Sequence, residues 1–556
     1  MLVAACAPTP ARQTTNGSQG GQSASPSAPT RVVAVIRGTL PVLYNKIGVG
    51  ATYSGLEYVE RLVHSGLVDV DGTGTPQPTL AEAVPTLENG LWKVFPDGRM
   101  ETTWKLRSGA RWHDGTPLTA ADLVFTGRVE QDKSLGWNYN LAYDAVDTVT
   151  APDPSTVTVT WKKPFVEADR MFSPNPGTQQ WGLPLPRHIL ERSFDEDKPK
   201  FLELPYWGPE FVGSGPFKLR EMVVDDRLNL VANDDYVLGR PKIDELIVRM
   251  IPDSNTVMAN FLAGELDLTV DPRALSFEEG RSLRDQWTGG RMELGLGGVV
   301  GAQAQFLTPN PAAVADVRFR RAVMRAIDRQ EMADTIQGGL ASVAHAFIGP
   351  EAPEWQHVQS SIVRYDFDPR RAVQELEDIG FRRGGDGLIR DSAGERPTVE
   401  IRATVTQINA KSALAMADYL QRIGLGAENL VIPLQRQSDL EYMVTFGGFL
   451  VLRGPRLGLQ FLNQHSSRAA TPEANFAGIN RSRYRSPEYD ALMDRFLVTI
   501  PFTERMQVLG QILRHETDQL PTLRLIYDPE PTMVSNRLKN VPAATPSGIE
   551  KWEVAG

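Results

Sequence analysis

A strand–helix–strand unit near residue 400 constrains the fold most strongly. The segments TVEIRATVT (398–406) and NLVIPLQ (429–435) are typical of strands, and they flank the helical segment NAKSALAMADYLQRIG (409–424). Two strands joined through a helix usually pair in parallel, by a right-handed crossover. The unit therefore predicts an α/β fold with a parallel sheet. Strand-like and helix-like segments alternate through most of the chain, from TRVVAVIRG (30–38) onwards.

Composition and charge exclude several classes of function. The chain has 556 residues, of which 41% are hydrophobic and 23% charged, as in folded globular proteins. Its 58 basic and 68 acidic side chains give a net charge of −10, which disfavours binding to nucleic acid or to an anionic membrane surface. No run of about 18 apolar residues predicts a membrane-spanning helix.

The beginning of the chain resembles the lipobox of bacterial lipoproteins. LVAAC (2–6) places small residues before Cys6, the only cysteine, which in a lipobox becomes lipid-modified. The charged and hydrophobic parts of a signal peptide do not precede it. Residues 7–30 are almost wholly Pro, Gly, Ser, Thr, Ala and Gln, which predicts a disordered tether. The alternative is that Cys6 is an incidental thiol.

The most enzyme-like segment is RWHDGTPLTAADLVFT (111–126), but its pattern predicts a turn and a helix start. Asp114-Gly115 is a strong hairpin signal. Thr119 and Asp122 have the spacing of a helix N-cap with an acidic partner. His113 has no second nucleophile or base in the local sequence. We therefore interpret the segment as structural.

Other signatures of catalysis or metal binding fail on spacing. No two histidines stand three or four residues apart, so no metal-ligand pattern appears. VGSGP (212–216) lacks the spacing of a nucleophile elbow and predicts a turn. In DVRFRRAVMRAIDRQEMADTI (316–336), a single predicted helix, Arg321, Arg325 and Arg329 share a stripe interleaved with acids, which indicates a solvated, salt-bridged face.

Five segments resemble, in order and spacing, the extracytoplasmic solute-binding proteins of peptide- and nickel-type ABC importers (family 5), which have dipeptide-, oligopeptide- and nickel-binding members. These segments are FPDGRMETTWKLRSGARWHDGTPLTAADLVFT (95–126), GSGPFKL (213–219), VRFRRAVMRAIDRQEM (317–332), DPRRAVQELEDIGF (368–381) and SPEYDALMDR (486–495). The resemblance covers nearly all of residues 31–545.

The resemblance implies a two-lobed periplasmic-binding-protein fold of class II, with an extra subdomain inserted in lobe one. Residues 1–30 would hold the lipobox remnant and the tether. Lobe one would comprise residues 31–57, 176–270 and 511–556, the inserted subdomain 58–175, and lobe two 271–510. A ligand held between lobes that meet through a few crossing strands would stabilise hinge closure.

The resemblance to family 5 also implies that the protein binds a solute and does not catalyse a reaction. The chain would be a monomeric, extracytoplasmic receptor, anchored through a lipid on Cys6. It would capture a small solute or short peptide and deliver it to the permease subunits of an ABC importer, while a separate protein hydrolyses ATP. No cofactor, metal or nucleic acid is expected.

Peptide-binding members of the family hold the ligand's amino terminus with an acidic residue in lobe two. The corresponding segment, TFGGFLVLRGPRLGLQF (445–461), contains no Asp or Glu, and Arg453 and Arg456 stand roughly where the acid is expected. This favours a carboxylate-bearing or neutral polar ligand. The alternative is that both arginines face solvent.

The remaining ligand-binding candidates follow from the same resemblance. Trp137 and Tyr139 would cover the ligand from the inserted subdomain, unless they pack in a core. The others are Thr39 and Leu40 after the first strand, Asp271, Gly447, Gly448, Phe449 and Tyr527.

The sequence is also compatible with two other functions. One is a ligand-sensing receptor of the same fold that is not coupled to transport. The other is a secreted hydrolase with paired carboxylates, because 68 acidic residues guarantee that some pair lies close together. Ligand-dependent stabilisation without turnover separates a binding protein from a hydrolase.

Overall fold

A computed structural model describes residues 29–47, 53–71, 74–136, 140–174, 181–456, 459–543 and 546–555. Cys6 and nearly all of the predicted tether lie outside the described residues, as do Trp137 and Tyr139.

Strands and helices alternate as the sequence predicts. The strands of the described residues are β1 Arg31–Ile36, β2 Val68–Val70, β3 Pro76–Pro78, β4 Trp92–Val94, β5 Met100–Lys105, β6 Val146–Asp153, β7 Thr156–Trp161, β8 Phe217–Val223, β9 Arg227–Ala232, β10 Glu245–Met250, β11 Leu268–Thr269, β12 Gly290–Ala304, β13 Arg382–Arg383, β14 Ile389–Arg390, β15 Thr398–Ala403, β16 Gly426–Val431, β17 Phe449–Pro455, β18 Thr522–Ser535, β19 Leu538–Lys539 and β20 Glu553–Val554. The helices are α1 Leu56–Val63, α2 Ala120–Glu130, α3 Arg187–Glu196, α4 Lys198–Leu202, α5 Ser254–Leu262, α6 Phe277–Gln286, α7 Val317–Ala326, α8 Arg329–Ile336, α9 Trp355–Val358, α10 Pro369–Asp378, α11 Gln407–Arg422, α12 Leu440–Val444, α13 Pro487–Val498 and α14 Phe502–Gln519. In the described part of the chain, no helix combines the length and the hydropathy that a membrane span requires.

One ten-stranded sheet runs through both lobes in the order β16–β15–β17–β12–β18–β11–β1–β10–β9–β8. We use the name lobe one for the part of the molecule that holds β1 and β8 to β11, and lobe two for the part that holds β15 to β17. In lobe one, β1 pairs in parallel with β10 and β11. In lobe two, β15 pairs in parallel with β16, with α11 as the crossover. The parallel pair predicted from residues 398–435 is therefore confirmed.

The long strands β12 and β18 join the two lobes. They pair with each other antiparallel, and β12 also pairs with β17 from Gly298 onwards, while β18 pairs with β11 at Val534. The β12–β18 register is interrupted between Gly295 and Gly298. A Cβ on Gly297 would lie 1.9 Å from the carbonyl oxygen of Asp528, so only glycine fits this irregularity. The break in pairing lies where the sheet passes from one lobe to the other.

Each lobe has its own hydrophobic core. In lobe one, buried side chains of β1, α1 and β10 form a single cluster, which includes Leu40. In lobe two, a second cluster joins α7, α11 and β17 and includes Phe449. A third cluster unites the four-stranded sheet β4–β5–β7–β6 with α13 and α14. Helix α1 thus packs with the core of lobe one.

The segment around His113 is structural, as predicted. The Gly115 N–H donates to the Trp112 carbonyl at 2.9 Å, which closes the turn. Thr119 and Asp122 form a capping box at the start of α2. His113 Nδ1 accepts from the Gly213 N–H at 3.2 Å. Its Nε2 lies 3.1 Å from the Gly215 carbonyl, to which it donates. The His-Asp-Gly segment therefore braces the predicted 212–216 turn.

A second histidine braces the same turn from a buried position. His64 Nε2 donates to the Pro184 carbonyl at 2.8 Å, and its Nδ1 lies 3.1 Å from Ser214 Oγ. His64 is 1% exposed. Burial lowers the pKa of His64 to about 3, because the imidazolium would lose its hydration.

Stability is expected to fall in acid because of His64. The unfolded chain binds this proton near its ordinary pKa of about 6.5, whereas the folded chain resists it until about pH 3. The neutral His64 ring makes its full contribution to the free energy of unfolding above about pH 6.5. About 2 kcal/mol of that free energy is lost between about pH 6.5 and 5. Urea unfolding of wild type and of a His64→Gln variant at several pH values measures this loss as a difference between the two proteins, because His113 and His345, whose pKa values burial also lowers, titrate in both. The His64→Gln profile should be less steep than that of wild type, and the profile of the exposed His357→Gln control should match wild type. Parallel profiles for wild type and His64→Gln would contradict the assignment.

The predicted arginine-rich helix is two helices, and one part of its interpretation is wrong. Ile327 is extended, and the Asp328 side chain caps α8. Arg321 and Arg325 do form ion pairs, but with Asp518 of α14 and Glu375 of α10 rather than with the interleaved acids, and the Arg325 side chain is only 14% exposed. Arg329, however, is 5% exposed and donates to the carbonyls of Ala344 and Tyr365. Because the helix breaks after α7, the Arg329 side chain points into the protein interior, where backbone carbonyl groups accept its hydrogen bonds.

Candidate binding site

A cavity of about 450 Å³ lies between the two lobes, beside the interruption in β12 and β18. Leu296 and Gly297, the residues of that interruption, form part of its wall. The other lining residues are Tyr44, Asn45, Lys46, Tyr53, Ser54, Glu57, Tyr58, Glu60, Arg61, Ser173, Pro174, Trp181, Gly182, Leu183, Arg273, Arg453, Gly454, Pro455, Arg456 and Glu530. The walls thus combine charged side chains with four aromatic rings.

Helix α1 supplies much of the wall on the side of lobe one. Gly55 precedes it with a φ of +87°, and a Cβ there would lie 3.0 Å from Ile36 Cβ, so glycine allows the chain to turn sharply against β1. Leu56, Val59 and Leu62 pack into the core. The intervening polar residues of α1 line the cavity.

The end of β17 supplies the wall on the side of lobe two. Arg453 crosses over β12, where a Cβ on Gly298 would lie 2.7 Å from the arginine side chain. Arg453 Nε donates to Asp528 Oδ2 at 2.6 Å, and Arg453 Nη2 donates to Glu530. Gly454 faces open space, since a Cβ there would meet no atom within 4 Å.

Arg456 lies over the face of an aromatic ring. Its guanidinium carbon is 3.9 Å from the centre of the Tyr527 ring. The Tyr527 hydroxyl donates to the Ile348 carbonyl at 2.6 Å, which fixes the ring. Arg456 Nη2 donates to Glu351, whose side chain is 46% exposed, while the buried Arg456 Nε has no partner among the described residues.

Every cationic side chain on the cavity wall has a carboxylate partner. Lys46 pairs with Glu130 and Arg61 with Asp69, both in largely buried positions. Arg273 pairs with Glu57 and Asp271. Arg453 and Arg456 have the partners described above. The positive charges of the wall are therefore neutralised within the protein.

Glu60 is the exception among the acids of the wall. It is 7% exposed and its Oε1 accepts the Asn45 N–H at 3.0 Å, but it forms no ion pair with any described residue. Burial raises the pKa of Glu60 to about 7, because water no longer solvates its charge. Glu57 and Glu530, the other two lining acids, pair with arginines.

The structure brings some of the predicted residues to the cavity and leaves others elsewhere. Arg453 and Arg456 line it, and Tyr527 supports Arg456 from behind. Asp271 is fully buried behind Arg273. Neither arginine projects freely into solvent, so that alternative is excluded.

The remaining predicted residues do not line the cavity in the described part of the chain. Leu40 and Phe449 are fully buried in the lobe cores, and Thr39 is half-buried beside β1. Gly447 and Gly448 lie at the opposite end of β17, where a Cβ on Gly448 would lie 2.3 Å from the Glu400 carbonyl. The strand direction explains this, because the cavity is at the carboxyl end of β17.

Sequence reasoning missed the wall of lobe one. Tyr44, Lys46, Tyr58, Glu60 and Arg61 line the cavity, yet no motif marks them. The only available signal is in LEYVERLV (56–63), whose polar residues share the face of an amphipathic helix. Such a face ordinarily meets solvent. No group of three or more His, Cys, Asp or Glu side chains among the described residues is arranged to hold a metal ion.

Comparisons with known proteins agree with this architecture. The oligopeptide-binding protein AppA of Bacillus subtilis is 23% identical over 534 residues, which cover 93% of this chain and 90% of that protein. The structure of the same protein with a nonapeptide has a TM-score of 0.68 at 20% identity, covering 95% of this chain and all of that one. NikZ of Campylobacter jejuni, solved with Ni(L-His), has a TM-score of 0.72 at 17% identity, with coverage of 94% and 99%.

A family model decides the assignment. The model described as "Bacterial extracellular solute-binding proteins, family 5 Middle" matches residues 75–451, which is more than half of the chain. The matched range contains every strand from β3 to β16 and every helix from α2 to α12. The chain belongs to family 5 of the bacterial extracellular solute-binding proteins.

Proposed function

We propose that the chain captures a small polar solute, a short peptide or a peptide-like compound, and delivers it to the permease of an ABC importer. One observation carries the proposal: a single cavity is lined from both lobes at the break in the strands that join them. A solute held there contacts both lobes, so its binding free energy favours the closed arrangement. The permease would recognise that arrangement.

The relatives support the class of solute. AppA is an oligopeptide-binding protein solved with a nonapeptide, and a Brucella melitensis relative, 25% identical over 489 residues, is a putative ABC transporter peptide-binding protein. The charged groups and tyrosines of the cavity wall suit a polar ligand that carries both hydrogen-bonding groups and apolar surface.

Arg456 is our candidate contact for a carboxylate of the solute. Its counter-ion Glu351 is half exposed, and the N–H of its Nε has no partner among the described residues. A planar guanidinium that stacks on a ring keeps its edge free for a carboxylate. Arg453 already holds two carboxylates, so we assign it to the junction between the lobes.

We also propose where the protein acts and how it is anchored. Cys6 would carry a lipid, and the Pro-, Ser- and Gly-rich residues that follow would tether a monomeric body to a membrane surface outside the cytoplasm. The expected division into lobes is kept, with α1 added to lobe one because it packs in that core.

Solute binding is expected to stabilise the protein without consuming the compound. Native mass spectrometry of the purified chain identifies any solute that it carries, and unfolding followed by refolding removes it. Adding the solute back at a hundredfold excess over its Kd should raise the free energy of unfolding by about 2.7 kcal/mol. Chromatography of the mixture should recover the compound unchanged. Conversion of the compound would instead support the hydrolase alternative.

A further inference from the structure

Among the described residues, one Asp, Glu, Lys or Arg side chain of the cavity wall has no partner of opposite charge, and it is an acid, Glu60. All five cationic side chains of the wall form ion pairs with carboxylates. Of the three acids of the wall, Glu57 and Glu530 belong to those pairs, and Glu60 does not. Arg456 can still donate a hydrogen bond to a carboxylate of the solute, but no cation of the wall is left unpaired among the described residues to neutralise a solute with a net negative charge.

The geometry of Glu60 leaves one carboxylate oxygen available. Glu60 lies on α1 of lobe one, and its Oε1 accepts the Asn45 N–H at 3.0 Å. Its Oε2 has no hydrogen bond to any described residue. The neighbouring Arg61 donates to Asp69, and Lys46 donates to Glu130, so neither cation is free to turn towards Glu60.

We propose that Glu60 is the receptor for a cationic amino group of the solute, which places ammonium recognition on lobe one. The inference rests on the proposed function and specifies its ligand. Tyr44, Tyr53, Tyr58 and Trp181 line the same cavity, and aromatic walls beside a carboxylate suit an organic cation. A metal ion would need more ligands, and no such cluster exists among the described residues.

Burial explains why this site selects for a cation. A carboxylate away from water is costly unless it is paired, and the empty site avoids the cost by retaining a proton up to about pH 7. An ammonium group forms a charge-assisted hydrogen bond with the ionised form and displaces that proton. Affinity for an amine should therefore fall as the pH drops below about 7, by up to about tenfold per pH unit.

The other titratable groups around Glu60 do not offer a competing explanation. Glu57 and Arg61 on the same helix are paired, and so is Lys46 on the preceding loop. The phenols of Tyr44 and Tyr206 have pKa values raised well above their ordinary value by burial, so both stay neutral in this range.

The experiment compares wild type with two variants, Glu60→Gln and Glu210→Gln. Both variants remove one carboxylate, but Glu210 is exposed and lies outside the cavity wall. The glutamine at position 60 can still accept the Asn45 N–H. The probe is a tryptic digest of casein, used untreated or with its amines blocked by acetic anhydride. Native mass spectrometry counts the captured peptides. Their affinities are then measured with synthetic free and N-acetylated forms between about pH 5.5 and 8.

We expect wild type to prefer the free amine by about tenfold or more at pH 7.5 and to lose that preference in acid. Glu60→Gln should bind both forms within about twofold with no pH dependence, and Glu210→Gln should behave as wild type. Equal capture of both forms by wild type, or a preference that survives in Glu60→Gln, would overturn the inference and leave the proposed function standing. Capture of neither digest would contradict the peptide class of solute, and with it both proposals.

Discussion

Replacing Gly454 by tryptophan is expected to abolish solute capture while the protein stays folded. Gly454 lies in β17 on the cavity wall, and a Cβ there would meet no protein atom within 4 Å. A side chain at position 454 therefore starts in open space, and because Gly454 lines the cavity we expect the indole to extend into it. Affinity should fall by about a hundredfold or more, roughly 3 kcal/mol. Aromatic residues favour strands over glycine, so the free energy of unfolding should not decrease.

A matched control separates cavity filling from a general effect of tryptophan. Gly385 lies in the exposed turn between β13 and β14, and a Cβ there would also meet nothing within 4 Å. Gly385→Trp should bind solute as wild type does, and Gly454→Ala should lose only part of the affinity. Calorimetry with the solute identified from the purified protein measures all three. Full affinity in Gly454→Trp would place the binding site elsewhere.

Replacing Arg453 by methionine is expected to destabilise the junction between the lobes by about 3 kcal/mol. Arg453 reaches from β17 across Gly298 of β12 to Asp528 and Glu530 of β18. Asp528 is only 8% exposed, and without the arginine its remaining partner is Gln337. Methionine preserves most of the packing of the arginine side chain. The decrease in the free energy of unfolding therefore measures the cost of leaving the two carboxylates without their ion-pair partner. Urea unfolding of the ligand-free protein measures it.

Two further variants test that explanation. Arg192→Met removes an arginine whose ion pair with Glu196 is exposed, and it should cost less than about 0.5 kcal/mol. Adding Asp528→Asn to Arg453→Met should recover part of the lost stability, because the amide carries no charge. A loss in Arg453→Met no larger than that in Arg192→Met would show that the junction does not depend on this cluster.

Most local structure could be predicted from neighbouring residues. The capping box of Thr119 and Asp122 and the parallel β15–α11–β16 unit are both present. The prediction failed where two signals competed. Asp328 could continue the arginine-rich helix or cap a new one, and it caps α8. The resulting break buries Arg329, which periodicity had placed on a solvated face.

The candidate site was predicted much less completely. The resemblance to the family directed attention to the segment around β17, and Arg453 and Arg456 do line the cavity. The effect of their charges could not be foreseen, because it depends on which acids reach them. The only signal for Glu60 was its place on the polar face of α1, and such a face ordinarily meets solvent.

The sequence by itself determined the order of strands and helices, the parallel crossover and the membership of the family. These features depend on side chains that are a few residues apart, so their spacing can be read directly from the sequence. Only the tertiary structure decided which charges of the cavity are neutralised. Arg453 and Asp528 are 75 positions apart, and Lys46 and Glu130 are 84 apart. Coulomb energy depends on distance in space and on burial, so the unmatched carboxylate of Glu60 became visible only after folding had paired every other charge on the wall.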